Sequence, residues 1–158
     1  MKSKRYSIMN FYIRGSNVTP QVCHALNRLW SGRSKMTAEA QALFAEWDET
    51  SETEVILQGG KHKELEDFYT ALSAIKNVPS AKFNEGQDDL CGVCTVVTFI
   101  ASERVVAAGE YLRANRASPV TAADMLSTAL IVINEETFQL TDDEIFLACN
   151  TAFLPLVA

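Results

Sequence analysis

With 158 residues, 47% of them hydrophobic and 22% charged, the chain has the size and composition of one soluble globular domain that can bury a core without staples. No apolar run approaches the ~18 residues of a membrane span, and Lys-Ser-Lys-Arg leads into a strand rather than a signal-peptide core; the expected compartment is the cytoplasm, with no membrane partner and the four cysteines as free thiols. The net charge of −6 is uneven: residues 1–35 hold seven cations and no acid, while the rest hold seven cations and twenty anions. Such a basic third either draws a phosphate-bearing partner or pairs with acids in the fold.

Arg5 to Ile13, rich in aromatic and β-branched residues and broken at Gly15, predicts a buried strand. Thr19 and Pro20 then read as an N-cap and first helical residue, followed by a stripe of Val22, Ala25, Leu26, Leu29 and Trp30. A strand, a polar turn and a helix N-terminus in succession favour an anion, which makes this the expected place for a site. Ser31 to Lys35 is a basic loop. Thr37 caps a second helix with Ala40, Leu43, Phe44 and Trp47 on its apolar side. Glu54 to Gln58, closed by Gly59 and Gly60, predicts the second strand, and His62 to Lys76 a third helix ended before Pro79. Two helices between the first two strands imply crossover connections and a parallel or mixed sheet.

Ser80 to Phe83 is a short third strand, Asn84 to Asp89 an exposed turn, and Gly92 to Ile100 a near-continuous β-branched run expected at the centre of the sheet. A helix starting at Ser102 and Glu103 completes an α/β unit near Asn115. Beyond Arg116 there is no Lys or Arg, and six acids give the segment −6. Two helices are expected in it, Thr121 to Ile133 and one begun by the capping box Thr141-Asp142-Asp143-Glu144. The apolar face Ile145, Phe146, Cys149 and Phe153 is expected to dock on the α/β unit or on a second subunit. The reading is therefore α/β: a mixed four-stranded sheet between helical layers over residues 1–115, with an acidic helical extension over 116–158 in one globular unit.

This order of elements, together with Gln21-Val22-Cys23-His24-Ala25, resembles the type II peptidyl-tRNA hydrolase family. Gln21, His24 and Ala25 match its Gln-x-x-His-Ala helix, Trp47 its second helix, and Val55 to Leu57 its second strand. Asn84-Glu85-Gly86 matches its Asp-Ala-Gly turn, and Gly92 with Thr95-Val96 its Gly-x-x-Thr-Val strand, so the correspondence runs from about Arg5 to Leu112. The resemblance implies tRNA binding and hydrolysis of the peptidyl-tRNA ester, with Gln21, His24, Asn84 and Thr95 as catalytic candidates and Arg14, Asn17, Arg28 and Gly92 as ligand-binding ones. The family's lysines fall on Tyr12, Gly15 and Asn17, and its aspartate on Asn84 if one residue is deleted between Gly86 and Gly92. Asn84 cannot act as a base, and Arg14 offers electrostatics without proton transfer.

Each candidate also has a plain structural explanation. Gln21 sits in the first turn of its helix, where an amide orients water or a carbonyl, or simply faces solvent. His24 is of a residue type suited to acid–base work, yet on an apolar helix packing accounts for it as well. Thr95 opens the central strand, where a β-branched residue is ordinary. Cys91-Gly92-Val93-Cys94 lacks the helix that a redox pair uses and the second ligand pair that a zinc site needs, so chance spacing is preferred and neither metal nor cofactor is expected. No Gly-rich phosphate loop or nucleophile elbow is present. Two functions stay open: a peptidyl-tRNA hydrolase-like protein binding tRNA or another phosphate-rich ligand, and an inactive interaction protein whose acidic C-terminal helices meet a protein partner or a second copy.

Overall fold

The computed structural model describes residues 2–157. Its main sheet has the strands β1 (Lys4–Met9), β2 (Glu54–Gln58), β3 (Ser80–Asn84) and β4 (Cys94–Ala101), in the order β2-β1-β4-β3. β1 runs parallel to β2 and antiparallel to β4, and β3 is antiparallel to β4, so the sheet is mixed. All eight residues of β4 are buried, as its unbroken β-branched run requires of a central strand.

Side-chain alternation divides the core in two. On one face Met9 and Val96 pack with Val18, Val22 and Ala25 of α1 (Val18–Gly32), and Ile100 packs with Leu29, Phe44 and Trp47, the last two from α2 (Ala38–Thr50). On the other face Tyr6, Ile8, Val97 and Phe99 pack with Leu65 and Leu72 of α3 (His62–Ala74) and with Val105, Val106 and Leu112. The latter three belong to α5 (Glu103–Ala114). A single helical turn, α4 (Gln87–Leu90), lies between β3 and β4, where the sequence predicts only an exposed turn.

Three of the four predicted caps form; Thr19 does not cap, because it lies inside α1, whose N-cap is Asn17. Thr37 and Ser102 accept from the N–H groups of Ala40 (3.2 Å) and Val105 (3.4 Å), and Thr141 closes a reciprocal capping box with Glu144 at the start of α7 (Asp142–Ala152). α1 begins earlier than expected: a 3-10 turn at Gly15–Asn17 feeds directly into Val18, which makes Pro20 the third helical residue. The proline is tolerated there because the first four N–H groups of a helix have no partner within it.

The C-terminal segment departs most from expectation. It is not purely helical: α6 (Ala122–Thr128) is followed by a hairpin of β5 (Leu130–Ile133) and β6 (Glu136–Gln139), where a continuation of the helix to Ile133 was predicted. Asn134 and Glu135 both hold positive φ, 50° and 70°, the conformation of a two-residue hairpin turn. A four-residue apolar run does not by itself distinguish strand from helix. The segment docks on the α/β unit: Leu147 and Ala148 join the core of the α5 face, Phe146 stacks on Phe68 at 5.8 Å, and Arg104 pairs with Glu144 at 2.7 Å. The chain end then covers the edge of β2, where Gln58 N–H donates to Pro155 O (2.8 Å) and Val157 N–H to Ile56 O (3.1 Å).

Candidate functional site at the start of helix α1

A β-bulge builds the site. Phe83 pairs with Val96 but Asn84 with Cys94, so Thr95 is the extra residue on β4. Val96 packs against α1 and Cys94 joins the core of the opposite face, yet the Thr95 hydroxyl also reaches α1, donating to Gln21 Oε1 at 2.8 Å. Two consecutive side chains thus face the same helix, which a regular strand cannot do; re-aiming a side chain is what bulges accomplish beside functional sites. Gln21, 9% exposed, is fixed at its other end by donating from Nε2 to Glu85. Thr95, Gln21 and Glu85 form one hydrogen-bonded chain from the buried strand to the half-buried carboxylate.

Other candidates stand at different distances from this chain. His24, one turn beyond Gln21, is exposed and lies flat on Phe83 with ring centroids 4.5 Å apart. Asn84 is not brought to Gln21: its amide points to the α3 face, donating to Glu66 (2.9 Å) and Gly92 O (3.0 Å). Strand alternation explains the exchange, because the residue after Asn84, Glu85, is the one aimed at α1. Gly92 acts through its backbone: at φ +73° its carbonyl meets Asn84, and a Cβ there would stand 2.6 Å from Gln87. Asn17 is the exposed N-cap of α1, with no capping hydrogen bond from its side chain. Arg28 is exposed on the same side of α1 but lies ten residues along it, about 15 Å from its start.

The basic third is also divided. Lys2 donates to Thr50 O, Lys4 bridges to Glu110 at 3.6 Å, and the buried Arg5 pairs with Glu54, all near the opposite end of β1. Arg14 alone of these cations sits at the turn, with its guanidinium 4.8 Å over the Phe11 ring. Both alternatives for the basic third are thus realised: Lys4 and Arg5 pair with acids in the fold, while Arg14 stands at the helix entry.

On the α3 face of the same sheet end, Glu66 accepts from Lys82 and Asn84. The Lys82 hydrogen bond, above all, holds its carboxyl below the usual value. His62 Nδ1 accepts the Cys94 N–H at 2.9 Å. Cys91 and Cys94 are both free; burial pushes the Cys94 thiol up to about 11, so at neutral pH it is not the thiolate that exchange or ligation uses. Among the described residues no group of three or more His, Cys, Asp or Glu is placed to hold a metal ion, and no helix is long and apolar enough to cross a membrane. Cavities of 240 and 370 Å³ open at the opposite end of β4, around Arg104, and Gln21, Thr95 and Glu85 line neither.

No protein-family model matches the chain, and no curated protein matches it in sequence.

Glu85 is the component that residue-by-residue reading passes over, and Asn10–Ile13, predicted as the end of a buried first strand, is instead a turn after Met9 with Phe11 and Tyr12 exposed. The signal for Glu85 was its place one step beyond a strand end whose preceding residues alternate between the faces.

Proposed function

We propose that the protein binds tRNA, or another phosphate-rich ligand of that kind, at the α1 end of the sheet, as a peptidyl-tRNA hydrolase-like protein in which Glu85 meets the ester and Gln21 and Thr95 position it. The hydrogen-bonded chain Thr95–Gln21–Glu85 carries this reading, since it joins two motif residues of the resemblance to a carboxylate that can serve as base in place of Asn84. In the reaction so read, Glu85 takes a proton from water as the water oxygen bonds to the ester carbonyl carbon. The resulting oxyanion collapses with cleavage of the bond to the ribose oxygen, which recovers the proton from Glu85. Gln21 orients the base, and Arg14 supplies positive charge without giving up a proton.

One observation favours the second reading, an interaction protein without turnover. Both ends of the Gln21 amide are already engaged, while the exposed Leu130 and Val132 lie in a segment that holds six acids and no cation. Peptide release from a peptidyl-tRNA analogue, measured with tRNA binding across a salt series, separates the two. The expected result is turnover abolished by Gln21→Ala, and binding whose log K falls with log salt by roughly 0.7–0.9 per phosphate contact. Salt-dependent binding without turnover keeps the ligand and removes the reaction; absence of both overturns the proposal and favours a protein partner.

A further inference from the structure

Phe11 and Tyr12 follow β1 after Asn10, and both are exposed large side chains, at 44% and 71%. Exposure of this kind in a slack loop would mean little, but this loop is fixed. The buried Asn10 donates from its backbone to Thr95 O (2.8 Å) and from Nδ2 to Cys94 O (2.9 Å), while its Oδ1 accepts the Tyr12 N–H (3.1 Å). Phe11 N–H donates to Gly60 O and Ile13 N–H to Asn10 O, both at 2.9 Å, and the Ile13 side chain is anchored in the α1 core. Two aromatic rings are thus held out of the core by a backbone with little freedom to withdraw them.

The rings meet at 5.7 Å and 81°, and the Arg14 guanidinium lies over Phe11. Phe11 is therefore engaged by both neighbours, and Tyr12 presents the open ring. An open aromatic ring packed on an arginine-capped Phe11, two residues from Asn10 and its hydrogen bond to Thr95 O, matches the pairing of a base with its phosphate in sequence-tolerant single-strand recognition.

Resting on the RNA-binding reading above, we propose that Tyr12, braced by Phe11, is the stacking platform for the unpaired terminal base of a single-stranded RNA end, with Arg14 as the adjacent phosphate contact. The test uses a labelled RNA hexamer ending in adenosine and the same hexamer with an abasic terminal residue, which keeps every phosphate and loses the π face. The wild-type protein is expected to bind the intact hexamer about tenfold more tightly than the abasic one. Tyr12→Ala is expected to lose that discrimination with an unchanged salt slope, Tyr12→Phe to keep it, and Arg14→Ala to shorten the slope by about one phosphate contact. Tyr12 is largely exposed, so these variants do not disturb the core. Salt-dependent binding of both hexamers with equal affinity, or discrimination that survives in Tyr12→Ala, overturns the platform and leaves RNA binding standing. No binding of either hexamer at low salt overturns both.

Discussion

The two faces of the sheet are built to different rules. Towards α3, α5 and α7 the strands offer Tyr6, Ile8, Val97 and Phe99, and the polar groups at the rim close on one another, Glu66 with Lys82 and Asn84. Towards α1 and α2 polar groups enter the interior itself: Arg5 pairs with Glu54, Ser7 bonds Glu54 and Thr98, and Thr95 bonds Gln21. Buried polar groups weaken a fold unless matched, so a face that retains them invites a functional explanation where the matching ends at solvent. That happens at Glu85. The sharpest way to break the comparison is to neutralise one carboxylate on each face. If the peptidyl-tRNA reading holds, Glu85→Gln lowers kcat/KM for a peptidyl-tRNA analogue by about 10²–10⁴, the range of a lost general base. Glu66→Gln, already held by Lys82 on the other face, leaves it within about threefold on the same ground. Equal losses in both variants would mean that the faces do not differ in function.

A second test concerns stability. Arg5 is 3% exposed, its charge is matched by Glu54, and its guanidinium lies 5.4 Å from the Trp47 ring centroid. Glu54→Ala leaves that charge buried without its partner and is expected to cost about 3–5 kcal/mol in urea unfolding. The double variant Arg5→Met with Glu54→Leu is expected to recover most of the loss, because replacing a buried pair by apolar groups is often neutral or favourable. A double variant as unstable as Glu54→Ala would show that the polar face depends on this pair for packing as well as for charge matching.

What could be read from the chain follows from how local each feature is. The caps at Thr37, Ser102 and Thr141 and the central run of β4 carry their signal within a few residues, and each forms as expected. The bulge at Thr95 has no such signal, since it exists only in the pairing with β3, and it is what turns the Thr95 hydroxyl towards α1. The hairpin Leu130–Gln139 was hidden for a different reason. Its first strand alternates exposed and buried in the structure, but all four of its residues are apolar, so the period-two signal was absent. Arg5 shows the limit of counting charge: the count leaves open whether a cation serves a ligand or pairs within the fold, and burial against Glu54 decides for the second.

The smallest expected effect is a pH dependence confined to the α3 face. The Lys82 hydrogen bond, then that of Asn84, lowers the Glu66 carboxyl below its ordinary 4.5, with the nearby His62 acting in the same direction; desolvation opposes them. A carboxylate whose folded value is depressed binds its proton more readily when unfolded. Its contribution is therefore fully present above the unfolded value and is lost as pH falls through the folded one. Lys82 and Glu66 are both partly exposed, so the contribution is at most about 1 kcal/mol. Urea midpoints measured from pH 6 down to pH 3 are expected to converge between wild type and Lys82→Met, with the difference largest at pH 6. A wild-type acid slope that survives intact in Lys82→Met would place the titrating group away from this rim, and the closure of Glu66 would then be geometric rather than electrostatic.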